Sequence, residues 1–265
     1  MTPNISEFSY GYAVTNEVVK LLGSSIAAAP QFPTLYAEGQ AGGGYDVKIV
    51  GGIPIFLQFK LSHYMARTNC KEHDLMGGAY YRWHLHSLRR SDQHNLLLEL
   101  ESKGHLVAYT APIFHECAEL NTHYLNDAIL DNSMAFKPSD IGEITDEENH
   151  YVVFNRRGPA YRCSDDPVSV KFSKLSGFLN GQVNMPATEP LDDEGVVRLG
   201  EEIIEAVEGA KVRRLKTQSR LKEIDTQELS RVIRARPSLE TLSLISRTVL
   251  DSELLIVDPQ WGKSR

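Results

Sequence analysis

Residues 45–62 read YDVKIVGGIPIFLQFKLS, and this stretch decides how the first half of the chain is organised. Val47 and Ile49 alternate with Asp46 and Lys48. After Gly51-Gly52, Ile53, Ile55, Leu57, Phe59 and Leu61 alternate with Pro54, Phe56, Gln58, Lys60 and Ser62. Side chains of an extended chain point to opposite faces in turn, so this period predicts two strands, each with one apolar face. The glycine pair between them is a hairpin signal. Gln58 and Lys60 then share the face opposite the apolar row.

The register of that hairpin carries a constraint. A strict two-residue Gly51-Gly52 turn pairs Val50 with Ile53 and sets Asp46 opposite Leu57, on the apolar face. A one-residue slip moves every side chain to the other face. The hydrophobic pattern therefore predicts a three-residue loop or a β-bulge, with Asp46 opposite or diagonal to Gln58.

Working outward, Val14, Val18, Leu21 and Leu22 recur at helical spacing, which predicts a helix over Tyr10 to Leu22, stopped at Gly23. Thr34 to Glu38 reads as a short strand, and the glycine-rich run 39–44 as a loop. Residues 75–90 read as a helix. The apolar run Leu96 to Leu100 fits either element. His105 to Thr110 reads as a strand ended by Pro112, and His115 to Leu130 as a helix. Tyr151 to Asn155 and Val168 to Phe172 are further strand candidates. Pro186 to Asp193 reads as a linker. Beyond it, Gly195 to Leu250 is charged and helical, broken at Pro237, with a last strand at Leu254 to Val257. The fold class expected is α/β (α+β): a mixed central sheet flanked by helices over residues 1–190, with a mostly helical region over 191–265.

Composition narrows the function classes. The chain has 265 residues, of which 42% are hydrophobic, enough to bury a core without a metal or disulfide staple. No apolar run reaches bilayer-spanning length. The start, Met-Thr-Pro-Asn-Ile-Ser-Glu-Phe, has neither a basic segment nor an apolar one, so no secretory leader is expected. Three cysteines, Cys70, Cys117 and Cys163, lie far apart, which fits reduced thiols in a cytoplasmic protein. The net charge is −7. It speaks to solubility and leaves room for local basic clusters at Arg82, Arg89 and Arg90, at Arg156, Arg157 and Arg162, and from Lys211 to Arg220.

The hairpin also carries the candidate chemistry. Hydrolysis of a phosphodiester needs a hard divalent cation held by oxygens beside a cationic group. Asp46 supplies a carboxylate and Gln58 a neutral amide oxygen, ligands that suit magnesium. Lys60 can orient water and offset charge in the transition state. Glu17 on the first helix is a further candidate ligand, and Glu38 competes with it.

These residues resemble the PD-(D/E)XK, restriction-endonuclease-like superfamily. The likeness lies in Asp46, eleven intervening residues and Gln58-Phe59-Lys60, after a helix bearing Glu17 and a glycine-rich Gly42-Gly43-Gly44 approach. The Gln-x-Lys form is similar to Mrr-type and anti-phage effector nucleases. The resemblance spans roughly residues 8–130. It implies a Mg2+- or Mn2+-dependent DNA endonuclease with Asp46, Gln58, Lys60 and Glu17 at its site, acting in defence against foreign DNA. It also implies DNA as partner and a homo-oligomer; the sequence does not say whether an ATPase or sensor protein is a further partner. The chain departs from the pattern at Gln58, where the acidic residue usually stands, and in lacking a proline before Asp46. The alternative is a nuclease fold that has lost catalysis and serves as a DNA-binding or scaffolding subunit.

Other motifs are weaker. His115-Glu116-Cys117-Ala118-Glu119 lacks the second histidine of a zinc-protease helix. His84 and His86 diverge on a helix and converge only if that segment is extended. Cys117 has no orienting partner in sequence. No Gly-Lys-Ser/Thr follows Gly42–Gly44, which excludes a P-loop.

Overall fold

The computed structural model describes residues 1–23, 53–88, 93–164, 166–183, 192–214, 225–250 and 253–257. Asp46, Glu38, the strand expected at Thr34 to Glu38 and the first half of the expected hairpin lie outside these residues. The architecture of the described residues is α+β with two five-stranded sheets. No helix among the described residues is long and apolar enough to cross a membrane. The chain divides into two compact units. One comprises Met1–Leu21, Gln58–Leu88 and Ala108–Gln182; the other comprises Leu22–Leu57, Arg89–Val107 and Val183–Arg265.

In the first unit, α1 (Glu7–Leu22) begins the chain, and the expected helix is present with one more turn at its start. β1 (Ile53–Phe59), with Ile53–Leu57 in the second unit and Gln58 and Phe59 in the first, is the alternating run read from sequence. It is followed by β2 (His63–Met65), α2 (His73–Met76), β3 (Tyr80–Leu85), and then α3 (Gln93–Ser102) of the second unit. β4 (Leu106–Pro112), α4 (Cys117–Leu125), a 3-10 turn at Leu130–Asn132 and β5 (Ser133–Phe136) continue the chain. α5 (Pro138–Ile141), β6 (His150–Phe154), β7 (Ala160–Cys163), β8 (Val168–Val170), β9 (Ser173–Lys174) and α6 (Leu175–Val183) complete this part.

The helix expected over 75–90 is not there. α2 spans only four residues and ends on Gly77 and Gly78, at φ 66° and 145°, conformations that side chains resist. The chain then extends as β3, whose Tyr81, Trp83 and Leu85 alternate with Tyr80, Arg82 and His84. The helix expected over His115 to Leu130 is likewise shorter: α4 stops at Leu125, and Asp127 takes a left-handed φ of 48° before the 3-10 turn. Pro112 closes β4 as its last residue instead of lying beyond it.

The second sheet, β2-β3-β6-β7-β8, is antiparallel throughout and lies wholly in the first unit. Its inner face meets β4 and β5 through aromatic rings. Trp83 lies 5.0 Å from Tyr109 and 5.7 Å from Phe136 between ring centres, and Phe136 lies 5.0 Å from Phe154. All four are essentially sealed from water, and each contributes about 1.5–3 kcal/mol or more by burial. On the opposite face of β4 and β5 lies α1. Tyr10 meets the Phe59 ring edge-on, and its hydroxyl bonds Thr110 Oγ1 at 2.8 Å and Ser133 Oγ at 2.9 Å. A Cβ added at Gly11 would stand 3.0 Å from the Phe59 ring, so the close approach of α1 to β1 depends on glycine.

The other sheet has the order β10-β1-β4-β5-β9. Here β10 (Glu253–Val257) runs antiparallel to β1, pairing Ile53 with Val257 and Leu57 with Glu253. β1 therefore has a described strand on each edge, β10 and β4. In the second unit α7 (Asp193–Arg214), α8 (Thr226–Ala235) and α9 (Leu239–Leu250) bear out the helical reading of this region. Asp225 caps α8 by accepting from the amides of Gln227 and Glu228. Arg234 on α8 donates to Glu201 on α7, and His105 pairs with Glu202 at 2.6 Å.

Candidate functional site

β1 is covered on both faces, which the alternating sequence did not predict. Ile55, Leu57 and Phe59 are buried, and so are Phe56 and Gln58 on the face expected to meet water. Gln58 is only 1% exposed, and its Nε2 lies 3.5 Å from the Phe59 carbonyl, at the outer limit of a hydrogen bond. Lys60 follows the strand and keeps its extended course, because its amide donates to the Thr110 carbonyl at 2.9 Å. Its side chain is half-buried, and the ammonium stands 5.8 Å above the centre of the Tyr109 ring. A cation over a ring face is attracted to it by about 0.5–2 kcal/mol.

Neighbouring residues on β4 identify the two faces. Thr110 bonds Tyr10 on α1, while Tyr109 stacks on Trp83 of the second sheet. Phe59 meets Tyr10, so Gln58 and Lys60 on either side of it point the other way, toward Tyr109. The structure therefore brings Gln58 and Lys60 together on the second-sheet side. It does not bring Glu17 to them.

Glu17 sits on the α1 side with 9% exposure. Its carboxylate accepts from the amide of Ile129 at 2.7 Å and of Leu130 at 3.3 Å, where the chain enters the 3-10 turn. Ser133 Oγ donates to the Ile129 carbonyl in the same turn. Burial holds the Glu17 carboxyl above the ordinary carboxylate range, with the two amides opposing that rise and Asp127 and Asp131 adding to it. Helix α1 is thus tied by one carboxylate to backbone amides more than a hundred residues away.

These donors do not by themselves suit a hard cation. Gln58 offers one buried amide oxygen, and Glu17 faces the other side with its oxygens on amides. Among the described residues, no three or more His, Cys, Asp or Glu side chains are grouped to hold an ion. The other two candidate ligands, Asp46 and Glu38, lie outside the described residues.

Tyr109 and Thr110 contact Lys60, Trp83 packs behind Tyr109, and none was singled out in the sequence. The available signal was the Tyr109-Thr110 pair within a predicted strand, whose alternation puts one side chain on each face. His115 is a polar side chain in an aromatic setting: buried and stacked 5.0 Å from Tyr64, it lies 3.4 Å from Glu119, the residue that closes the capping box of α4. That box accounts for the glutamates in the stretch that resembled a metalloprotease helix. Scans against family models, curated proteins and solved structures find no match to this chain.

Proposed function

We propose that the chain is a metal-dependent DNA endonuclease that works at the end of β1, around Lys60. The observation that supports this reading is the placement of Lys60. It is a half-buried lysine just past the end of an interior strand, on the same side as Gln58, with its ammonium over a buried aromatic ring. An ammonium there offsets charge that builds on phosphoryl oxygens, and it does so beside a low-dielectric wall where that effect is large. Gln58 lies beneath it, sealed from water, and fixes the floor of the site. In this reading the cation depends on Asp46 and Glu38, not on Glu17. The proposal carries with it DNA as partner, a homo-oligomer, an ATPase or sensor partner and a role in defence against foreign DNA. The last rests on family analogy.

The test is plasmid cleavage by purified protein in magnesium or manganese. Cutting that disappears in EDTA and in Lys60→Ala supports the proposal. Cutting that persists in Lys60→Ala refutes the assignment of the site.

A second reading has its own observation. Glu17 is spent on backbone amides, which fits a nuclease-like fold used for DNA binding or scaffolding. Salt-sensitive DNA binding without cutting in either metal favours this reading.

A further inference from the structure

On β3 and β6 a second group of side chains converges, on the face of the second sheet away from Trp83. His84 lies directly across from Tyr151 in the register. Leu85 and His150 form the last pair of this ladder, and His86 and Asn149 are the next residues beyond it. The chain is extended through Leu85, and the His84 and His86 rings lie side by side, which a helix would not allow. Residues facing each other across an antiparallel pair have Cβ atoms about 5 Å apart. His86, Asn149 and Tyr151 each come close to His84, so the four gather at this end of the sheet.

We infer that His84, His86 and Asn149 form a binding site for a borderline-soft divalent cation, with zinc the best match. Two distances carry the inference. The His84 and His86 ring centres are 5.0 Å apart. Two imidazoles bound through nitrogen at about 2.1 Å to one ion, at a tetrahedral angle, have ring centres about 5 Å apart. Second, His84 Nε2 and Asn149 Oδ1 are 3.3 Å apart. That is long for an N–H···O bond, yet it matches the roughly 3.0–3.4 Å between two ligand atoms on one such ion. Two nitrogens and one amide oxygen leave a position for water. Imidazole donors suit zinc, nickel and copper over magnesium, so this site is chemically distinct from the one proposed at Lys60.

The surroundings are mixed in charge. Arg82 shares the face and lies 4.5 Å over the Tyr151 ring, but Glu72 stands 3.7 Å from its guanidinium. Asp146 of the adjoining turn accepts from His150 at 2.8 Å. Tyr151 walls one side of the pair, 5.1 Å from His84.

Zinc titrated calorimetrically into the full chain tests the site. One equivalent of zinc is expected to bind, with affinity falling more than about tenfold in His84→Ala and in His86→Ala. His73→Ala, on α2, is expected to bind as the parent does. Cobalt added to the unaltered chain provides a check that needs no substitution, since it should broaden the ring resonances of His84 and His86 before those of other histidines. Absence of zinc binding, affinity unchanged in both variants, or broadening confined to other histidines overturns the inference. None of these readouts depends on cleavage of DNA.

Discussion

The two faces of the layer formed by β1, β4 and β5 are built from similar residues and put to opposite uses. On the α1 side every polar group noted above has a partner. Tyr10 bonds Thr110 and Ser133, and Glu17 takes two amides. On the second-sheet side the interior is a cluster of Trp83, Tyr109, Phe136 and Phe154, and the Lys60 ammonium lies over the Tyr109 ring at its margin. A charged residue that is buried and saturated with hydrogen bonds serves the fold. Lys60, over the Tyr109 ring at the edge of the aromatic cluster, is the residue the proposed function puts to use. The contrast separates Glu17, the candidate ligand on α1, from Lys60, the candidate cation after β1.

The contrast can be broken at several points. The largest effect is expected at the centre of the aromatic stack. Phe136→Ala should cost about 3–5 kcal/mol, because it empties space that Trp83 and Phe154 cannot fill. Chemical denaturation checks it, and a loss under 1 kcal/mol would mean the sheets are less tightly packed than described. Next is Glu17→Ala. It strands two amides and removes a charged acceptor, for about 2–3 kcal/mol.

The pH dependence sharpens that second point. The folded-state value of Glu17 is raised, so the folded chain binds more protons than the unfolded chain above the ordinary carboxylate value. Its contribution is fully present below the unfolded value and declines as pH rises through the folded one. The stability advantage of the parent over Glu17→Gln should therefore be greatest in mild acid and shrink toward neutrality. An advantage that grows with pH would contradict the placement of this carboxyl.

Smaller effects probe the α1 face. Gly11→Ala should destabilise by about 1–3 kcal/mol, since its methyl group meets the Phe59 ring at 3.0 Å. Tyr10→Phe loses two buried hydrogen bonds while keeping the ring, and should cost about 1–2 kcal/mol. Thermal melts of the two variants rank them, and a melt for Tyr10→Phe at or above the parent's would show that the hydroxyl is not needed there.

Parts of this arrangement were legible in the sequence for clear reasons. α1 carries an apolar stripe at helical spacing, and β1 and β6 have enough apolar residues to mark them as strands. β3 was misread because both of its faces are covered at one end. Tyr80 packs with Met76, Val153 and Cys163 on one side, while Tyr81 and Trp83 pack on the other. The resulting run of rings and cations hides the two-residue period. In β1 the warning was Phe56, an aromatic residue on the supposedly polar face. The pairing of β1 with β10 joins residues about two hundred positions apart, and no local pattern carries that information. The role of Glu17 was invisible for a related reason. Its partners are main-chain amides, which leave no trace in residue type. The half of the candidate site that rests on Asp46 and Glu38 lies outside the described residues.

The most direct test of the contrast between Glu17 and Lys60 measures plasmid cleavage and thermal stability together for Lys60→Ala and Glu17→Gln. The account predicts that Lys60→Ala abolishes cutting while melting within a few degrees of the parent, and that Glu17→Gln shifts the melt while cutting is retained. Cutting that survives Lys60→Ala, or is lost in Glu17→Gln with no change in melting, would contradict it.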